Sequence, residues 1–406
     1  MKQTLRLPFI SVFLVLATAV LGCENDMQLE QNSNWTIERA SHLPTYKIVA
    51  YGDSIFSGLV NVSLNPDDRD LRIARRAAPY VAGEYLSQRW DANIQVMRRT
   101  TSGAKADEVY ARIVNESARM QTPDTRVVMF EMCGTNYLLA RSHLSKQTGT
   151  CNYRELDDAL AQCTQHMENA MLHIRDNAYS GVKAKIIMNL YYPGYAANDV
   201  LTSCQDAATG QPVNKQDKFL PILARSNWRA CHLAGQYGFQ CVDAFAAMMG
   251  AEDDSNEDGV VDSEALRYVE GETEDDYVTR ITVTLRDTLR DPNHHRIAEG
   301  TEVHYLSKDN THPTRYGNAV WLGLQTYFIG SHEPDFADSQ LLDGKNPMWN
   351  LHGHERLGWS SPRPFKPTSP ERAASPLEAT CPPRRGSGIR GLRHPPRLPP
   401  RVGWTR

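Results

Sequence analysis

Short apolar runs alternate with longer amphipathic stretches through the middle of the chain, and this alternation constrains the fold most. The apolar runs cover residues 46–51, 94–97, 127–130, 185–190 and 239–242, and the amphipathic stretches cover 73–90, 106–120, 156–175 and 222–236. Parallel strands need a crossover of a dozen or more residues, which is usually a helix. We therefore predict an α/β domain over residues 45–335, a three-layer α/β/α sandwich with a mainly parallel central sheet.

The charge of the chain is unevenly distributed. From Leu351 onward there are eleven basic and three acidic residues, whereas the preceding 350 residues carry 33 basic and 45 acidic ones. An acidic body argues against a nucleic-acid partner. Eleven of the 23 prolines lie between Pro362 and Pro400, so residues 336–406 are predicted to be a disordered tail. This tail is either a basic arm for anionic lipid or polysaccharide, or a solvated segment without function.

The N-terminus has the pattern of an export signal. Lys2 and Arg6 precede an apolar stretch over residues 7–21, which predicts a signal peptide over 1–22. The stretch ends at Gly22-Cys23, which resembles the bacterial lipobox, so Cys23 is the predicted lipidation site. The alternative is an ordinary secretory signal with a chance cysteine. We expect an exported, membrane-anchored lipoprotein, periplasmic or at the cell surface, with residues 23–44 as a polar tether; under the alternative the protein is secreted.

Polar motifs follow the predicted strands, where open parallel sheets bind ligands. They are Gly52-Asp53-Ser54-Ile55, Thr101-Ser102-Gly103 and Gly134-Thr135-Asn136, with a late block Asp309-Asn310-Thr311-His312. Ser54 is a candidate nucleophile, while Gly103 and Asn136 offer a backbone and an amide donor. Asp309 is near enough in sequence for its carboxylate to orient the imidazole of His312.

The four blocks together resemble the SGNH hydrolase superfamily, also called GDSL esterases and lipases, over about residues 45–330. The resemblance implies a flavodoxin-like fold and a catalytic set of Ser54, Gly103, Asn136, Asp309 and His312. It also implies an ester substrate, an acyl or acetyl ester of lipid or carbohydrate, and no cofactor for catalysis. Where the family usually has Asp after the Asn, this chain has Tyr137. A non-catalytic, calcium-stabilised surface binding module on the same fold is the alternative.

An acidic insertion near residues 254–265 matches the first nine positions of an EF-hand calcium loop. The predicted ligands are Asp254, Asn256, Asp258, the carbonyl of Val260, and Asp262. Position 12, normally a bidentate Glu, is Ala265, so we expect a weak structural Ca²⁺ site. A solvated acidic loop is the other interpretation.

Six cysteines lie within the predicted domain: Cys133, Cys151, Cys163, Cys204, Cys231 and Cys241. In an exported protein they can form up to three disulfides, with fifteen possible pairings. Proximity in sequence favours Cys151 with Cys163, and Cys204 with Cys231.

Overall fold

Every predicted apolar run forms a strand. The computed structural model describes residues 32–61, 71–73, 77–191, 195–250 and 262–289. The strands are β1 (Asn32–Ile37), β2 (Thr45–Gly52), β3 (Leu59–Asn61), β4 (Leu71–Ile73), β5 (Asn93–Thr100), β6 (Thr125–Phe130), β7 (Gly149–Thr150), β8 (Ala184–Met188), β9 (Val200–Gln205), β10 (Pro212–Asn214) and β11 (Gln240–Val242).

The central sheet has the order β1-β5-β2-β6-β8-β11. All neighbours in it are parallel except β1, which pairs antiparallel with β5 at the edge. The chain runs from β2 to β5 on one side, then returns past β2 to β6 and continues outward. This is the doubly wound order of flavodoxin-like sheets. The other strands form a hairpin, β3-β4, and a small sheet, β10-β9-β7.

Helices cover both faces of the sheet, as expected when crossovers between parallel strands are right-handed. Helix Ala78–Arg89 packs on β5 and β1, whereas Arg154–Asn177 and Lys215–Tyr237 pack on each other. The other α-helices are Ser54–Ser57, Ala106–Asn115, Gly134–Leu144, Ala244–Met249, Asp262–Ala265 and Glu274–Thr279, and short 3₁₀ or π helices cover Ser117–Arg119, Arg280–Thr284 and Arg286–Thr288. None of the helices within the described ranges has the length and apolarity needed to cross a membrane.

The middle strands are buried on both faces. Four consecutive residues of β2, Ile48 to Tyr51, and four of β6, Val127 to Phe130, have no exposed surface. A continuous apolar run, rather than an alternating one, is what a strand between two helical layers requires. The predicted three-layer sandwich is therefore the observed fold.

The prediction of a polar tether over residues 23–44 is wrong for its second half. Residues 32–37 form β1, with Asn32 opposite Arg99 and Ile37 opposite Ile94. Their burial alternates at every residue, as on a strand with one face toward solvent, and β1 gains its backbone hydrogen bonds from a partner far along the chain. The folded domain thus includes residues before position 45.

Helix boundaries differ from the predicted ones where capping intervenes. The predicted helix over residues 222–236 begins earlier, at Lys215, because the side chain of Asn214 accepts hydrogen bonds from the N–H groups of Gln216 and Asp217. Pro221 lies inside this helix. The predicted helix over 73–90 begins later, at Ala78, and Ile73 belongs to β4 instead.

Both disulfide pairings favoured by sequence proximity are wrong. The structure joins Cys151 to Cys204 and Cys231 to Cys241, and leaves the buried Cys133 and Cys163 free. The first bond follows from strand pairing, because β7 lies beside β9 and brings the end of one strand to Cys204.

The Cys151–Cys204 bond is expected to stabilise the fold more than the Cys231–Cys241 bond. They close loops of 53 and 10 residues, and loop-closure entropy predicts contributions of about 4 and about 3 kcal/mol. Chemical denaturation of Cys151→Ser/Cys204→Ser and Cys231→Ser/Cys241→Ser double variants measures both. A larger loss in the second variant would contradict this ranking.

Candidate active site

The carboxyl ends of β5, β2 and β6 lie side by side at the point where the strand order reverses. Gly52 at the end of β2 is opposite Thr100 of β5, and Tyr51 is opposite Phe130 of β6. In open α/β sheets, ligands bind in the crevice at such a switch point. The loops that follow these strands carry Ser54, Gly103 and Asn136.

Ser54 is the first residue of the short helix Ser54–Ser57. Asp53 caps this helix, and its Oδ1 accepts a hydrogen bond from the N–H of Ile55 at 2.9 Å. The hydroxyl of Ser54 lies 3.5 Å from the same oxygen, and the residue is 7% exposed. The other serine of the turn, Ser57, is fully buried and donates to the carbonyl of Asp53. Ser54 therefore carries the hydroxyl that is open to a substrate.

A buried arginine supports the end of this turn. Arg98 of β5 donates from Nη1 to the carbonyl of Ser57 at 2.8 Å and from Nε to Ser33 Oγ of β1 at 3.0 Å. Burial lowers the pKa of Arg98 to about 10, so it remains charged at neutral pH. The edge strand that the sequence did not predict thus helps to hold the serine turn.

Gly103 lies in the turn after β5. The N–H of Thr101 donates to the carbonyl of Gly52 at 3.1 Å, which ties this turn to the end of β2. Gly103 has φ of +80°, which favours glycine, and a Cβ there would meet no atom within 4 Å. Its N–H donates to no atom in the part of the chain that the structure describes. It is an available donor beside the serine turn.

Asn136 lies near the start of helix Gly134–Leu144 and is 7% exposed. Its Oδ1 accepts a hydrogen bond from the N–H of Ala106 at 2.9 Å, which fixes the amide against the loop carrying Gly103. Ala106 begins a helix, so this bond satisfies one of the unpaired N–H groups of a helix start. The Nδ2 group has only a long contact of 3.4 Å to Gln162 Oε1. The amide is thus oriented with its donor side available.

A small pocket opens beside Ser54, between helix Gly134–Leu144 and the segment that follows β8. Four of its lining residues are apolar or aromatic: Ile55, Leu138, Leu190 and Tyr191, with Asp53, Ser54 and Gly134 completing it. The site therefore has a backbone donor from the turn after β5, an amide donor from the helix after β6, and an apolar pocket between that helix and the segment after β8. That division suits a substrate with a polar reacting group and an apolar substituent.

Glu131 belongs to the site and was not predicted from the sequence. It follows β6 directly, is 1% exposed, and accepts hydrogen bonds at Oε1 from Asp53 N at 2.6 Å and Phe56 N at 3.4 Å. Desolvation raises the pKa of Glu131 well above its usual value, and the neighbouring Asp53 raises it further. An acidic residue directly after an apolar run, at the same sheet edge as the serine, was the available signal.

Gly52→Ala is expected to lower the free energy of unfolding by about 1 to 3 kcal/mol, the usual cost of overpacking a buried site. A Cβ at Gly52 would overlap Glu131 Oε1 and approach Phe56 Cβ to 3.0 Å. Thermal or chemical denaturation measures the change. Gly235→Ala is the matched control, because nothing lies within 4 Å of its Cβ in a helix; there alanine should stabilise. Equal effects of the two substitutions would contradict the close fit at Gly52.

The structure describes Ser54, Gly103 and Asn136 and brings their loops together. Several predicted residues lie outside the described ranges and stay predictions: Cys23, Asp254, Asn256, Asp258, Val260, Asp309 and His312. Of the predicted calcium ligands, Asp262 begins the short helix Asp262–Ala265. The predicted signal peptide and the tail over 336–406 are also outside these ranges.

Comparisons with known proteins give structural likenesses only. No protein-family model matches the chain, and no curated protein matches it. The lipase Lip_vut3 from a goat rumen metagenome is 14% identical with a TM-score of 0.43, covering 71% of this chain and 98% of that one. Phospholipase A1 from Streptomyces albidoflavus NA297 is 14% identical with a TM-score of 0.38, covering 71% and 99%. Axe2, an acetylxylan esterase from Geobacillus stearothermophilus, is 15% identical with a TM-score of 0.34, covering 50% and 79%. These TM-scores are too low to assign a function to this chain.

Proposed function

We propose that this protein is a serine ester hydrolase of the SGNH type, which cleaves carboxylic esters through an acyl-enzyme. The observation that carries this proposal is the meeting of three loops at the sheet's switch point: one with a serine hydroxyl, one with an unpaired glycine N–H, and one with an oriented amide. A hydroxyl with hydrogen-bond donors on the neighbouring loops is the arrangement that acyl transfer needs.

In the first half-reaction, Ser54 Oγ attacks the ester carbonyl while His312 takes the hydroxyl proton. Asp309 holds His312 in the tautomer that accepts it. The negative charge on the carbonyl oxygen is stabilised by the N–H groups of Ser54 and Gly103 and by Asn136 Nδ2. His312 then gives its proton to the leaving alcohol, and the acyl group remains on Ser54.

In the second half-reaction, water takes the place of the alcohol. His312 removes a proton from the water, which attacks the acyl-enzyme, and the same donors stabilise the second oxyanion. Proton return to Ser54 releases the carboxylic acid. The balance is one ester and one water consumed, and one alcohol and one acid formed.

The substrate class is an acyl or acetyl ester of lipid or carbohydrate. The pocket bounded by Ile55, Leu138, Leu190 and Tyr191 supports an apolar substituent next to the reacting carbonyl. Three aliphatic side chains and one aromatic ring form the apolar part of its lining, and burial against such surfaces favours alkyl groups by about 0.8 kcal/mol for each buried CH₂.

The test is hydrolysis of a p-nitrophenyl ester series from acetate to palmitate, together with labelling by a fluorophosphonate. Turnover and stoichiometric labelling at Ser54 support the hydrolase, and the chain-length optimum separates an acetyl esterase from a lipase. A protein that is inert on every ester and remains unlabelled is no esterase. That result would favour the non-catalytic binding module instead, because a binding module needs no activated serine.

A further inference from the structure

Two buried carboxyl groups lie directly behind the serine turn. Asp53 and Glu131 are each 1% exposed. Glu131 Oε1 accepts hydrogen bonds from Asp53 N at 2.6 Å and from Phe56 N at 3.4 Å, so a single oxygen receives donors from both sides of Ser54. Gly52 has no side chain at the point of contact, which allows the carboxyl group to approach this closely.

The two carboxyl groups cannot both be ionised at low cost. Glu131 contacts no cationic side chain among the residues the structure describes, and its second oxygen, Oε2, is buried there without a hydrogen-bond partner. A buried, unpaired charge is unfavourable, and two neighbouring carboxylates repel each other. A proton on Glu131 removes both costs, since the neutral acid can then donate toward the carboxylate of Asp53.

Asp53 is the better place for the negative charge. The N–H groups that donate to Glu131 reach only one of its oxygens and leave Oε2 buried without a partner among the described residues. A charge on Glu131 would therefore be poorly solvated, whereas Asp53 Oδ1 accepts a hydrogen bond from the N–H of Ile55 at 2.9 Å. The same oxygen lies 3.5 Å from Ser54 Oγ. The proton therefore belongs on Glu131, and Asp53 links it to the nucleophile.

We propose that Glu131 is a positioning residue that keeps a proton shared with Asp53 and so fixes the turn carrying the nucleophile. This inference rests on the proposed function of Ser54. Glu131 touches no reacting atom, and it acts through the backbone of Asp53 and Phe56 and through the Asp53 carboxylate.

The groups facing Glu131 determine how its role depends on pH. Among the described residues, these groups are Asp53 on the serine turn and Cys133 two residues further along its own loop, and Cys133 in turn lies beside Cys163 on helix Arg154–Asn177. Burial raises the pKa of the Cys133 thiol, and the neighbouring Cys163 raises it further, so this thiol stays neutral where Glu131 titrates. Loss of the Glu131 proton then leaves two negative charges behind the turn.

The sign of the effect follows from the direction of the shift. The pKa of Glu131 is higher in the folded protein than in the unfolded chain. Its contribution to stability is therefore complete at low pH and is lost as the pH rises toward the raised value. The geometry of the serine turn should change at higher pH, where Glu131 loses its proton in the folded protein.

The experiment compares wild type with Glu131→Gln, Glu131→Asp and Glu131→Ala, measuring kcat and KM for a p-nitrophenyl ester across pH, with melting temperatures in the same buffers. Gln mimics the neutral acid, because its amide also accepts from Asp53 N and donates toward the carboxylate. The kcat of Glu131→Gln should stay within about 3-fold of wild type. The decline of kcat at alkaline pH that results from ionisation of Glu131 should be absent in this variant. Ala should lower kcat about 100-fold with little change in KM, because the turn is misplaced. Asp, one methylene shorter, should fall between them.

Glu168→Gln is the matched control. Glu168 lies on helix Arg154–Asn177 and accepts a hydrogen bond from the hydroxyl of Tyr237, so its substitution should leave the pH profile unchanged. The proposal is overturned if Gln loses as much kcat as Ala, or if its alkaline profile equals that of wild type.

The melting temperatures separate this proposal from the proposed function. If the protein cleaves no ester, the esterase assignment and the positioning role both fail. The melting temperatures still test the shared proton, because the melting temperature of wild type should then fall relative to that of Glu131→Gln as the pH rises. A melting difference that is constant across pH would overturn the shared proton as well.

Discussion

Replacing Ser54 with alanine is expected to lower kcat for ester hydrolysis by about 10⁴- to 10⁶-fold, the loss observed when the nucleophile of a serine hydrolase is removed. In the proposed mechanism this hydroxyl is the attacking group, and no second hydroxyl in the turn can take its place. Ser57 is fully buried and its Oγ already donates to the carbonyl of Asp53. Steady-state kinetics on the best p-nitrophenyl ester, with fluorophosphonate labelling, measure the loss.

The fold should survive this substitution. The hydrogen bond from the Ser54 hydroxyl to Asp53 Oδ1 is long, 3.5 Å, and alanine keeps the backbone of the short helix, so the melting temperature should change little. Ser203→Ala is the matched control: its hydroxyl donates to the carbonyl of Gln147 on an exposed surface away from the sheet edge, and activity should be retained. Undiminished turnover by Ser54→Ala would place the nucleophile elsewhere.

The parallel sheet was predictable because its strands are buried on both faces. Such strands must be apolar throughout, and the runs that form β2 and β6 have this property. The serine, glycine and amide loops were predictable for a related reason, since parallel strands bring their carboxyl ends to one edge. For these strands and loops, the local sequence pattern and the position in the fold lead to the same prediction.

Other features depend on contacts between distant parts of the chain. Strand β1 has the polar sequence Asn-Ser-Asn-Trp-Thr-Ile, and only pairing with β5 makes it a strand. The Cys151–Cys204 bond likewise depends on the β7-β9 pairing. Glu131 was visible as an acid after an apolar run, but its contact with Asp53 requires the register between β2 and β6. The sequence contains both members of each of these pairs, but it does not show which residues are paired in the folded chain.

Asn136→Ala is expected to lower kcat by about 10²- to 10³-fold, because it removes one donor from the proposed oxyanion hole. KM should change little, since the donor acts mainly on the charge that develops in the transition state. The alternative is a purely structural role, in which Asn136 only satisfies the N–H of Ala106. Kinetics on the same p-nitrophenyl ester, beside melting curves, separate the two.

Asn136→Asp distinguishes a role as hydrogen-bond donor to the oxyanion from a purely structural role, because the substitution retains the oxygen that accepts from Ala106 N and replaces the NH₂ group. An aspartate can still accept the hydrogen bond from Ala106 N, so a structural role would be rescued and activity would return. If Asn136 donates to the oxyanion, Asp instead sets a negative charge against it, and kcat should be at least as low as in Asn136→Ala. Asn177→Asp is the matched control, since this side chain only donates to the carbonyl of His173 at a helix end, far along the chain from the serine turn. Activity of Asn136→Asp near the wild-type value would remove Asn136 from the oxyanion hole and leave Ser54 and Gly103 as its donors.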